Sequence, residues 1–150
     1  MAVNISLLNL RVVREKSGRY DLDDRKISSV DKLYKIATEV LEMDQRAEEI
    51  FCVVCADAQH RINGIFEVFR GGISEAPISP REIFKRALLQ NAFTIFLLHN
   101  HPGGSLLPSS ADVETTKRLV EIGKLIGIPV TDHLIVAENR YLSFREQCLI

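Results

Sequence analysis

The chain has 150 residues, of which 46% are hydrophobic and 26% are charged, and this size and balance are those of one globular domain with its own core. A formal net charge of -1 excludes the overall attraction that draws basic proteins to nucleic acid or to anionic lipid. No apolar run reaches the ~20 residues of a membrane helix, and the first residues show no basic leader. We therefore expect a soluble, cytoplasmic protein without a membrane partner.

The N-terminal segment, residues 1–26, is predicted to form a strand or two followed by a polar connector. Apolar residues alternate within the first thirteen positions, a pattern typical of a strand. From Lys16 onward the segment is rich in charged residues and turn formers. We find no chemistry in this segment and expect the folded domain to occupy residues 27–150.

The next part of the chain predicts one helix followed by a hairpin. Apolar residues with a helical period predict a helix over residues 30–43, with Ser28 as its cap. The uninterrupted apolar run Ile50–Ala56 predicts a buried strand, and residues 62–69 supply its partner strand.

The three cysteines, Cys52, Cys55 and Cys148, are an odd number in a chain long enough to be stable without crosslinks. Cys52 and Cys55 form a Cys-x-x-Cys pair within the predicted buried strand. Side chains three apart on a strand point to opposite faces and cannot share one metal ion. We interpret both as core thiols in a reducing compartment.

The second half of the chain alternates helices and strands. Ser79 and Pro80 have the pattern of a helix start, and the apolar run 92–98 predicts a central strand that ends directly at His99. A loop rich in Gly, Pro and Ser leads to a helix that Gly127 stops, and a final hairpin follows. The sequence thus predicts an α/β fold, a single domain with a mixed β-sheet flanked by helices.

Three residues predict a metal site at the end of the central strand. His99 and His101 stand one residue apart where Pro102 and two glycines can turn the backbone. Asp112 returns from the first turn of the next helix toward the same sheet edge. Two nitrogens and one carboxylate oxygen leave a tetrahedral zinc one position for water, as in catalytic sites. One Zn²⁺ per chain is the expected cofactor, although manganese, iron or cobalt accept the same ligands.

Other interpretations of these residues exist. Ser109 and Asp112 have the spacing of a helix capping box, and a histidine after a strand can simply bond backbone groups. The adjacent letters His-Asn-His do not match the HNH nucleases, whose three residues are spread across a ββα unit. A zinc deaminase needs His-x-Glu followed downstream by Pro-Cys-x-x-Cys, whereas the Cys-x-x-Cys of this chain lies upstream.

The pattern His-x-His-Pro, six residues, Ser, two residues, Asp resembles that of the JAMM, or MPN+, metallopeptidases, which carry the JAB1/MPN zinc domain. A closer resemblance is to the RadC family, named as DNA repair proteins. It covers residues 27–150 and rests on His-Asn-His-Pro-Gly-Gly, Pro-Ser-x-x-Asp, Pro-Arg-Glu-Ile-Phe at 80–84, and Asp-His followed by Tyr-Leu-Ser-Phe at 141–144. This resemblance implies a JAB1/MPN-type, cytidine-deaminase-like architecture.

The resemblance also implies a catalytic glutamate. In the JAMM family a glutamate just before the first core strand holds and deprotonates the zinc-bound water, and Glu49 stands at the equivalent place. Glu48 would take the role if the register were off by one residue. Glu82 is another candidate carboxylate, but its spacing from Ser79 explains it as a capping partner.

Three further residues receive roles from the resemblance. Ser109 matches the family's serine, whose hydroxyl bonds the developing oxyanion. Asp132 and His133 are expected to orient the final hairpin, with support of the zinc site from behind the ligands as the alternative.

The expected function is that of a zinc metalloprotease, a hydrolase that cleaves an amide or isopeptide bond in a peptide substrate with a metal-activated water. The alternative is a zinc-stabilised interaction module that binds proteins of DNA repair or of mobile elements, with little turnover. The near-neutral charge argues against direct DNA binding by this chain alone.

Overall fold

The computed structural model describes residues 5, 6, 9, 11–20, 22, 24–71 and 78–150. The strands within these ranges are β1 (Ile50–Ala56), β2 (Ile62–Arg70), β3 (Thr94–Asn100), β4 (Val130–Ala137) and β5 (Arg140–Ser143). The helices are α1 (Val30–Glu39), α2 (Pro80–Leu89) and α3 (Ser110–Ile126), with a short 3₁₀ turn at Met43–Gln45. None of these helices is both long and apolar enough to cross a membrane.

The predicted N-terminal strand falls largely on residues outside the described ranges, and residues 11–20 are in neither helix nor strand. The end of the connector does have defined contacts. Lys26 forms an isolated antiparallel bridge with Arg61, and the backbone amide of Ile62 donates to the carbonyl of Arg25 at 2.9 Å. Arg25 and Lys26 therefore contact the start of β2, shortly before α1 begins.

The strands form one mixed sheet in the order β2-β1-β3-β4-β5. β1 is antiparallel to β2 and β3, β3 is parallel to β4, and β4 pairs with β5 as an antiparallel hairpin. This is the predicted α/β fold with a mixed sheet between helices. Parallel neighbours need a crossover connection, and here α3 provides it. The N-terminus of α3 consequently lies just beyond the carboxyl end of β3.

Two cores lie on the two faces of the sheet, because successive strand side chains point in opposite directions. Cys52 belongs to the core that α1 covers, and Cys55 to the core that α2 and α3 cover. Both thiols are wholly buried, and burial raises the pKa of each to about 12. The prediction that these cysteines are separate core thiols is confirmed.

Helix α1 differs from its prediction at both ends. Its cap is Ser29, whose side chain accepts a hydrogen bond from the backbone amide of Lys32, so the prediction of Ser28 as the cap was wrong. The helix ends at Glu39 rather than near Met43. Glu42 has a left-handed backbone with φ of 52°, which a continuing α-helix excludes, and Met43 lies in the separate 3₁₀ turn.

Two other local predictions need correction. Ser79 does precede α2, but its side chain makes no capping hydrogen bond. The carboxylate of Glu82 instead accepts from Lys85 and Arg86, because cations three and four residues ahead on a helix are within reach. Strand β3 extends to Asn100, so His99 lies inside the strand and not after it.

Candidate metal centre

The end of β3 places two histidines on one face of the sheet. His99 is paired with Phe51 of β1 and with Ile135 of β4, and its side chain is wholly buried. His101 continues the extended backbone, since its amide donates to the carbonyl of Val136 at 2.8 Å. Because side chains two apart on extended backbone share a face, both imidazoles lie on the side covered by α3.

The first turn of α3 brings a carboxylate to these imidazoles. The backbone amide of Ser109 donates to Asp112 Oδ2 at 2.6 Å, and the amide of Asp112 donates to Ser109 Oγ at 3.1 Å. This is the capping box expected from the spacing. The same carboxylate has Oδ1 3.3 Å from Nε2 of His99 and Oδ2 3.4 Å from Nε2 of His101. The capping role and the metal-ligand role are therefore compatible in one side chain.

The three side chains have the chemistry of a metal-binding donor set. The Nε2 atoms of His99 and His101 are 2.8 Å apart, and one ligand atom from each histidine and from Asp112 lies within 4.8 Å of the others. An ion that binds nitrogen and oxygen at roughly 2.0–2.2 Å fits such spacing. His101 Nδ1 lies 2.7 Å from the carbonyl oxygen of Ser105. A carbonyl only accepts, so this nitrogen carries a proton and the neutral ring directs its Nε2 lone pair at the centre.

The candidate water-activating residue is positioned at the start of β1. Glu49 is half-buried, and its negative charge contributes to the raised pKa of His101, after the larger effects at that ring. Glu48 instead is exposed and has its carboxylate 3.6 Å from the guanidinium of Arg70. Burial and the ion pair of Glu48 thus favour Glu49 over Glu48. Glu82 is bound to the cations of its own helix.

Asp132 and His133 are adjacent in β4 but point to different surroundings. Asp132 accepts hydrogen bonds from its neighbour's amide, from the amide of Arg145 and from the hydroxyl of Ser143, so it braces the turn after β5. The ring of His133 lies between Phe51 and Phe144, and its Nε2 is 2.8 Å from Nδ1 of His99. Only His133 of this pair contacts a candidate ligand.

Two buried residues beside the site were not found from the sequence. Asn100 lies between the two histidines and is 1% exposed. Its Oδ1 accepts from the backbone amide of Ile50 at 2.7 Å, and its Nδ2 donates to the carbonyl of Glu48 at 3.1 Å. Thr116, one helical turn after Asp112, contacts His133. The four-residue spacing from Asp112 was the signal for Thr116, whereas nothing local indicated the long-range bonds of Asn100.

We expect zinc affinity to fall as pH falls, by up to about tenfold per pH unit. The hydrogen bond with Asp112 is the largest cause that raises the pKa of His101, against the opposing effect of burial. Below this raised pKa the metal must displace a proton from the ring. Competition with a chromophoric chelator from about pH 8 to about pH 6 measures the effect, and a constant affinity would contradict it.

In the metal-free protein, two histidines should change the free energy of unfolding with opposite signs. Burial lowers the pKa of His133 well below its ordinary value of 6.5, so this ring costs stability as pH falls through 6.5. His101 acts in the other direction. A raised histidine pKa stabilises the fold fully below the ordinary value of 6.5 and loses that contribution as pH rises through the raised value. For Asp112, burial raises the carboxyl pKa, but its close contacts with the imidazoles of His101 and His99 outweigh burial and hold the pKa well below its usual range. That contribution persists at neutral pH and is lost only in strong acid. Urea unfolding with a chelator present tests both signs.

The fold and the site together define an α/β domain with a His₂Asp group that could hold one metal ion. The chain belongs to the RadC-like JAB domain family, whose family model matches residues 27–149. The prediction of a RadC-like domain of the JAB1/MPN type is confirmed.

Curated relatives agree with this family. A UPF0758 protein of Finegoldia magna is 38% identical over 140 residues, which are 93% of this chain and 62% of the relative. One of Thermosynechococcus vestitus is 42% identical over 113 residues, 74% of this chain and 45% of the relative. One of Methanosarcina barkeri is 35% identical over 123 residues, 82% of this chain and 53% of the relative. The chain thus spans about half of the length of the curated relatives that it matches.

Proposed function

We propose that the chain is a zinc-dependent hydrolase that cleaves an amide or isopeptide bond. The observation that carries the proposal is the convergence of His99, His101 and Asp112 beside Ser109. The two Nε2 atoms are 2.8 Å apart, and they lie 3.3 and 3.4 Å from Oδ1 and Oδ2 of Asp112, respectively. Zinc bound there would act as a Lewis acid that lowers the pKa of a bound water toward ~7. Two nitrogens and one oxygen leave room for that water.

Glu49 and Ser109 supply the remaining chemistry in this proposal. Glu49 is close enough to His101 for its charge to act on that ring, so its carboxylate can accept a proton from the attacking water and give it to the leaving amine. Ser109 Oγ already accepts from the amide of Asp112. Its own hydroxyl proton has no acceptor among the described residues and can be donated to the oxyanion that forms on the scissile carbonyl.

A chain-like substrate fits the surface beside these residues. A groove of about 680 Å³ begins at Pro108 and Ser109 and continues along α3 past Lys117 and Arg118. Its open shape is that of a site for an extended segment and not of an enclosed pocket for a small amide. We therefore propose a peptide or isopeptide substrate. The alternative proposal is a zinc-stabilised interaction module that binds proteins of DNA repair or of mobile elements.

Metal content and cleavage together test the function. Purified wild type is expected to hold about one zinc per chain by elemental analysis, and His101→Ala and Asp112→Ala are expected to hold none while they remain folded. A library of peptides and isopeptide-linked conjugates, followed by mass spectrometry, then tests for turnover. Wild type that stays metal-free after zinc is offered would refute the hydrolase. Zinc-loaded wild type that cleaves nothing in the library would favour the interaction module.

A further inference from the structure

A line of hydrogen bonds runs behind His99, on the side of the ring away from the candidate metal position. Nδ1 of His99 is 2.8 Å from Nε2 of His133, and Nδ1 of His133 is 2.7 Å from the hydroxyl oxygen of Thr116. That hydroxyl also contacts the backbone carbonyl of Asp112. His99, His133 and Thr116 are all at most 1% exposed, so water does not compete for these bonds.

The carbonyl at the end of this line fixes the direction of every bond in it. A carbonyl oxygen only accepts, so Thr116 donates its one hydroxyl proton to Asp112. If the hydroxyl proton pointed to His133 instead, lone pairs of the Thr116 oxygen and of the Asp112 carbonyl oxygen would face each other. The Thr116 oxygen must then accept from Nδ1–H of His133. A neutral His133 protonated at Nδ1 has a lone pair at Nε2, so it accepts from Nδ1–H of His99.

The consequence for His99 is a defined tautomer. With its proton held at Nδ1, the neutral ring presents an Nε2 lone pair to the candidate metal position, which His101 and Asp112 also face. His101 reaches the same tautomer directly, through the carbonyl of Ser105. We infer that Thr116 is a positioning residue of the metal site, which acts through His133 to keep His99 in its metal-binding tautomer. The inference rests on the proposed zinc site and does not depend on turnover.

The surroundings of His133 give it no other polar support among the described residues. Phe144 stacks on its ring with centroids 4.6 Å apart, and Phe51 meets it edge-on at 5.5 Å. These rings hold the imidazole in place but provide no acceptor that could orient its protons. Orientation therefore depends on Thr116. Asp112 contributes at both ends of the arrangement, since its carboxylate faces the metal position while its carbonyl anchors the line.

The test uses variants of Thr116, whose hydroxyl contacts His133 and a backbone carbonyl but none of the candidate ligand atoms. Thr116→Val replaces the hydroxyl with a methyl group of similar size, and we expect the zinc dissociation constant to rise about 10- to 100-fold. Thr116→Ser keeps the hydroxyl and should restore the affinity to within about threefold of wild type. Thr115→Val makes the same change at the adjacent position of α3 and serves as the matched control. Chelator competition on the whole chain gives the dissociation constants.

The tautomer itself is measured in the metal-free protein by long-range ¹H–¹⁵N spectra of the imidazoles. Wild type and Thr116→Ser should show His99 protonated at Nδ1, and Thr116→Val should show a mixture. A wild-type His99 protonated at Nε2 would overturn the inference, even if Thr116→Val failed to fold. A folded Thr116→Val with wild-type zinc affinity would also overturn it. If wild type bound zinc and showed the Nδ1 tautomer but cleaved no substrate, the hydrolase proposal would fail and the assignment of Thr116 would stand.

Discussion

Replacing Glu49 with glutamine is expected to slow hydrolysis by about 10²- to 10⁴-fold, the usual contribution of a general acid–base group. The amide has nearly the same shape as the carboxylate but cannot accept a proton from the attacking water. Zinc content should stay at the wild-type value, because Glu49 is not one of the three converging residues. Cleavage rates and elemental analysis of the same preparations measure both quantities.

The neighbouring glutamate offers a matched control. Glu48→Gln removes a carboxylate that lies 3.6 Å from Arg70 on the exposed surface, and exposed ion pairs contribute little to stability. We expect its cleavage rate to stay within about twofold of wild type. If Glu48→Gln were inactive and Glu49→Gln active, the general base would be assigned to the wrong residue.

The convergence of the three candidate ligands was predictable because each part of it has a local signal. Two histidines at a spacing of two share a face on extended backbone, and a serine three residues before an aspartate marks a helix start. The sequence order of β3, loop and α3 then brings His99, His101 and Asp112 together at one sheet edge. The prediction needed no knowledge of which strands are neighbours.

Two contacts that the sequence could not specify depend on strand order. Asn100 bonds backbone groups fifty residues away, since β1 lies beside β3 in the sheet. His133 reaches His99 because β4 is the other neighbour of β3. A one-dimensional pattern does not contain these adjacencies. The cap of α1 was misplaced for a different reason, because Ser28 and Ser29 are chemically equivalent and only the backbone geometry of each decides which one caps.

Asn100→Ala is expected to destabilise the metal-free protein by roughly 2–6 kcal/mol. The substitution removes the partner of two backbone groups, the buried amide of Ile50 and the part-buried carbonyl of Glu48, which the Asn100 side chain now satisfies at 2.7 and 3.1 Å. Each unpaired group costs about 1–3 kcal/mol. Urea unfolding by circular dichroism, with a chelator present, measures the loss, and Asn63→Ala on the exposed face of β2 is the control.

The same substitution should also make the position of Glu49, the candidate general base, less well defined. The two backbone groups that Asn100 holds lie on either side of Glu49. The carbonyl of Glu49 keeps its bond from the amide of Gly71, just after β2, at 2.8 Å, whereas the two bonds from the Asn100 side chain of β3 would be lost. At a temperature where Asn100→Ala stays folded, we expect its cleavage rate to fall while zinc content is retained. In a double-mutant cycle with Glu49→Gln the two losses should be less than additive. Fully additive losses would mean that Asn100 contributes to the fold without positioning the base.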